Sequence, residues 1–139
     1  MYRELIESCA KDCKWTKLQP PASPAEIARA ERALGWRFPE PLKALLKECN
    51  GDRWLLKSID DIIETAKNHR EYLEEVYPEI GRNIFFADNG CGDCYGWRIG
   101  ADGKADESVI CRWDHETDEY TAVAKDIPEL IRRYYGDEI

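Results

Sequence analysis

The spacing of apolar residues changes once along this chain, near residue 83, and that change constrains the fold more than any other feature. From there on, the runs "NIFFA" (83–87), "CYGWRI" (94–99), "VICRWDH" (109–115) and "YTAVA" (120–124) repeat with a period near two. The spacers between them, "DNGCGD", "GADGKADES" and "ETDE", are short and rich in Gly, Asp and Asn. Alternating runs joined by such turns form an antiparallel β-meander. The expected register puts Tyr95, Trp97 and Ile99 on a core face with Val109, Cys111 and Trp113. Arg98, Arg112 and Asp114 then fall on a wetter face, and Cys94 points away from Cys111.

Before residue 83 the period is helical. "MYRELIESCAKDCKW" places Leu5, Ile6, Cys9 and Cys13 on one apolar stripe. In "SPAEIARAERALG" Ser23 is an N-cap, Pro24 fits the first turn, Glu26 completes a capping box and Gly35 supplies a left-handed stop. "EPLKALLKECNG" predicts a third helix from Glu40 to the Asn50-Gly51 stop, with Leu42, Leu45, Leu46 and Cys49 buried. "WLLK" (54–57) reads as a short buried strand. Ser58 caps a helix over 59–77 that Pro78 terminates, and Asp126 caps a last one, "IPELIRRYY". Helices, a strand, a meander and a helix make one α+β domain with helices packed on an antiparallel sheet. "KLQPPASP" (17–24) reads as a hinge after the first helix.

Charge narrows the choice of partner. Residues 1–87 carry 14 Lys/Arg against 15 Asp/Glu, and residues 88–139 carry 6 against 13, so the net charge of −8 divides into −1 and −7. Affinity for phosphates comes from Lys and Arg, which argues against nucleic acid. An acidic half suits a basic protein partner or serves solubility alone. No run approaches the about 18–20 apolar residues of a membrane span, and the N-terminus lacks a signal-peptide core. The expectation is a cytoplasmic chain whose six cysteines stay reduced.

"DNGCGDCYGW" (88–97) invites several chemical readings. Its glycines spell G-x-G-x-x-x-G and lead into a strand, so it is not a dinucleotide loop, which needs a following helix. Cys91 and Cys94 form C-x-x-C, and Cys111 and His115 follow at zinc-ribbon spacing. Against zinc stand the apolar mass of the chain and the register, which separates Cys94 from Cys111. Only His69 and His115 could partner a cysteine nucleophile, and "HETDE" lacks the second histidine of H-E-x-x-H. The stretch reads best as a turn that reverses the chain into an aromatic strand, with no cofactor and no catalytic set.

The order of motifs resembles the SUKH superfamily, in particular its cell-wall-regulator (SMI/KNR-type) branch. "SPAEIARAERALGWRFPEPLKALLKECNG" is similar to its capped helix, G-x-x-[LF]-P step and leucine-rich helix ending in Asn-Gly. "FADNGCGDCYGW" resembles its Gly/Asp-rich turn, "VICRWDHETDEY" its strand ending in Trp-Asp-His-Glu, and the helix after Asp126 also fits. The likeness covers residues 20–139 and leaves the N-terminal helix, 1–19, aside. Cys91 and Cys94 are not part of the pattern.

The resemblance implies a non-enzymatic protein-binding domain, foremost an immunity protein that neutralises a polymorphic or contact-dependent toxin. The alternatives are a regulatory adaptor with an endogenous partner, or a small zinc or redox protein built on Cys91, Cys94, Cys111 and His115. The expected partner is a basic toxin, for instance a nuclease, whose phosphate-binding surface an acidic protein can mimic. Partner-facing candidates are Asp88, Asp93, Asp114, Glu116, Asp118 and Glu119, with Trp97 or Trp113 as an aromatic anchor. The alternative role of the acids is a solvated face, and that of either tryptophan is core packing.

Overall fold

A computed structural model describes residues 1–139. Five helices surround one sheet: α1 (Tyr2–Cys9), α2 (Pro24–Leu34), α3 (Glu40–Glu48), α4 (Ile59–Tyr72) and α5 (Ile127–Tyr135). The strands are β1 (Asn83–Asp88), β2 (Cys94–Arg98), β3 (Ile110–Trp113) and β4 (Tyr120–Ala124), antiparallel in the order β1-β2-β3-β4. The meander and the α+β class are as the sequence predicts. So are the helix starts: Ser23 and Glu26 form a reciprocal capping box, and Ser58 and Asp126 each accept the amide three residues on. Gly35 ends α2 at φ 80°.

The main core lies on one face of the sheet. There Ile6, Ile27, Leu34, Leu42, Leu45, Leu46, Ile59 and Leu130 from all five helices meet Ile84, Phe86, Tyr95, Trp97 and Ile110. Burial of this apolar surface is the dominant stabilising term. Gly96 is required by close approach, because a Cβ there would lie 1.9 Å from the carbonyl oxygen of Ile84 on β1.

A second, smaller core of Ile80, Phe85, Cys94 and Trp113 covers the other face. This corrects the expected register. Cys94 pairs directly with Trp113, Tyr95 with Arg112 and Gly96 with Cys111. Trp113 and Cys111 therefore share a face with Cys94, opposite Trp97, while Arg98 and Arg112 point to different sides. Arg98 stacks 3.7 Å above the ring of Tyr120, which packs on the second core. Alternation could not label a single core face because both faces are apolar.

Two elements differ from expectation for related reasons. Helix α4 stops at Tyr72, five residues before the expected end. The turns that follow bring Leu73, Tyr77 and Ile80 onto the second core. Ile59 and Ile62 belong to the main core, so the segment 59–80 crosses the β1 edge from one face to the other. "WLLK" is not a strand. Only Leu56 forms a bridge, with Ala87, because the amides of Trp54, Leu55 and Leu56 all donate to Asp52 Oδ1, at 3.0, 2.8 and 2.8 Å. The expected hinge is a strap, since Lys17, Gln19 and Ala22 donate their amides to Asp52, Gly51 and Leu46.

Candidate functional site

The register lines up Asp88, Cys94, Trp113 and Tyr120 across the sheet. The 89–93 and 114–119 turns consequently sit side by side at one end. The first is built by short side-chain acceptors, a habit of Asp and Asn that makes them turn residues. Asp88 Oδ1 accepts from Gly90 N and Asn89 Oδ1 from Cys91 N, both at 2.9 Å. In the second turn, Asp114 Oδ1 accepts from Glu116 N at 2.8 Å. Asp118, at φ 61°, accepts the indole proton of Trp113 at 2.7 Å.

One pair ties the turns together. His115 donates to Asp93 Oδ1 from Nδ1 at 2.6 Å and from its backbone amide at 3.2 Å, and Asn89 donates to Asp93 Oδ2 at 3.1 Å. The His115 ring lies against Gly92, at φ 105°, where a Cβ would come within 3.0 Å of the imidazole carbons. Partial burial raises the Asp93 carboxyl, but the bonds from His115 and Asn89 outweigh it and hold the group below the ordinary range. The same bond to Asp93 raises His115.

These contacts sort the expected binding residues. Asp88 is ion-paired with Lys57 at 2.6 Å. Asp93, Asp114 and Asp118 hold turns. Trp97 is 2% exposed and stacks on Phe86, so the structure places it in the core and not on a binding surface. Glu116 and Glu119 remain as exposed acids whose carboxylates accept no hydrogen bond, with Glu116 Oε1 in a loose ion pair with His115 Nε2 at 3.8 Å.

Sequence reasoning missed two features beside this end. One is Asp52, fully buried, which organises the 54–56 loop and accepts the Tyr135 hydroxyl at 2.6 Å, while Thr16 contacts that hydroxyl at 2.9 Å. Burial and Asp52 together raise the Tyr135 phenol. The other is aromatic. Trp15 and Trp54 are 57% and 43% exposed and stack with ring centres 6.1 Å apart. No local signal sets Trp54 apart from the apolar run "WLLK" in which it stands.

The four-ligand zinc set is not assembled. The one group of His, Cys, Asp and Glu side chains whose ligand atoms converge is Asp93, Asp114 and His115, within 4.8 Å of one another, and no cysteine joins it. Cys94 and Cys111 do share a face, contrary to expectation, but they stand opposite Trp113 and Gly96. Burial pushes the Cys94 thiol up to about 12, whereas a zinc ligand must be a thiolate. Asp93 and His115 already satisfy each other.

The model of the SMI1/KNR4 family (SUKH-1) matches residues 21–133, most of the chain. The chain belongs to the SMI1/KNR4 family. The matched span takes in the capped α2, the Asn-Gly after α3, the glycine turn and most of α5, and membership supports a protein-binding, immunity-like domain. No curated protein matches the chain. The match begins after α1, yet Tyr2, Ile6 and Ala10 pack into the same core as the SMI1/KNR4 helices. No helix is long and apolar enough to cross a membrane.

Proposed function

We propose that this protein is a cytoplasmic, non-enzymatic immunity protein that binds and neutralises a cognate basic toxin through the acidic end of its sheet. The family supports protein binding. The observation that carries the finer reading is the placement of Glu116 and Glu119. They project from a turn held by Asp114, Asp118 and the Asp93–His115 pair, in the half of the chain that holds −7 of the −8 net charge. A turn ordered before binding loses less conformational freedom on association, and like-signed charge steers an oppositely charged partner toward it. A nuclease fits this chemistry, because its substrate site is already selected for anions. Neither nucleic acid nor a membrane surface is an expected partner.

The test is co-production with a secreted toxic domain, sought first in the gene adjacent to this one. Rescued growth together with a direct complex supports the reading. Binding to an endogenous regulatory protein instead, without rescue, would make the chain an adaptor.

A further inference from the structure

The exposed stack of Trp15 and Trp54 borders a groove at the acidic end of the molecule. Trp54, Tyr134 and Tyr135 wall this groove, Asp12 and Asp137 stand on it as exposed acids, and Asn89 joins it to the glycine turn. No basic residue lines it. Arg53, next in sequence to Trp54, adopts φ 62° and lines a separate groove with Gln19 and Asp60. Lys14, next in sequence to Trp15, places its ammonium 4.8 Å from the centre of that ring, and no cation of the chain stands over Trp54.

We infer that the groove receives an arginine side chain of the protein partner, its guanidinium stacked on Trp54 and paired with Asp12 or Asp137. The existence of a protein partner rests on the function proposed above; the chemistry of the groove does not. Arginine fits because its plane is weakly hydrated, stacks on aromatic faces and pairs with carboxylates through two parallel bonds. An apolar side chain would strip water from two carboxylates and offer them no partner. Continuity favours one interface: Asn89, at the groove, also donates to Asp93, which holds the turn that presents Glu116.

The probe is Nα-acetyl-arginine amide, with Nα-acetyl-norleucine amide as the uncharged control, both followed by the indole N–H resonances of the 15N-labelled protein. The arginine derivative should shift Trp54 and Trp15 saturably and leave the buried Trp97 and Trp113 in place. Asp12→Asn with Asp137→Asn should weaken that binding about fivefold. Asparagine tolerates the left-handed backbone of Asp137, at φ 56°, so this variant keeps the fold. Equal shifts with the norleucine derivative, or an unmoved Trp54 resonance with the arginine derivative, would overturn the inference. Neither measurement needs the toxin, so failure here and failure of growth rescue are separate results.

Discussion

The imidazole Nδ1 of His115 lies 2.6 Å from Oδ1 of Asp93, joining two turns 22 residues apart in sequence. This bond makes one surface of what would otherwise be two independent loops. It also makes that surface sensitive to proton concentration.

His115, raised by Asp93, stabilises the fold fully below its ordinary value of 6.5, and the contribution is lost as pH rises through the raised value. Asp93, lowered, contributes above its ordinary value of 3.8 and is lost as pH falls through the lowered one. The clamp is therefore complete between about pH 4 and 6.5 and weakens as pH rises through the raised His115 value. His69 behaves oppositely. Burial against Phe85 and Trp113, with Lys57 adding to it, lowers His69 to about 4, so its contribution falls as pH drops from 6.5. NMR titration should show His115 above 6.5 and His69 near 4, and His115→Asn should abolish the loss of stability that accompanies His115 deprotonation. Coincident titration of both rings would contradict the geometry.

Removal of the Tyr135 hydroxyl isolates the Asp52 hub. Tyr135→Phe leaves the ring packing but deprives a fully buried carboxylate of one donor. The expected loss is about 1.5 to 3 kcal/mol in urea unfolding, the range for a hydrogen bond to a charged group. A change within error would mean that water replaces the hydroxyl.

Leu45→Ala, in the middle of the main core, should cost about 2 to 5 kcal/mol. Cys91→Ser should cost nothing measurable, since the side chain is exposed. Cys94→Ser buries a hydroxyl and should cost about 1 to 3 kcal/mol. Chelator should leave the melting temperature unchanged, and purified protein should carry less than about a tenth of an equivalent of zinc. A chelator-sensitive melt would restore a metal role for the cysteines.

The helices and the meander were legible because capping boxes and turn residues are local signals, and local chemistry decided them. What failed depended on distant partners. Trp113 reads as a main-core residue until Ile80 and Phe85 are found covering the second face. "WLLK" is an apolar run like that of a buried strand, but a single buried Asp52 takes the amides of Trp54, Leu55 and Leu56. The acidic candidates were found as a cluster, yet sequence could not separate Asp93 and Asp118, spent on the fold, from Glu116 and Glu119. Nothing local marked Trp54 as exposed. Its position depends on Asp52, Tyr135 and Trp15, which lie far apart along the chain.

The most direct measurement of the central claim is the association rate with the cognate toxin as a function of salt, for wild type and for Glu116→Lys with Glu119→Lys. Glu64→Lys with Glu71→Lys, on the exposed surface of α4, is the matched control. Wild-type association should slow steeply between about 50 and 500 mM salt, as the Debye length falls from roughly 14 to 4 Å. The turn variant should associate about tenfold more slowly at low salt and lose growth protection, with its melting temperature unchanged and the control unaffected. A salt-independent rate, or full protection by the turn variant, would contradict recognition through the acidic end of the sheet.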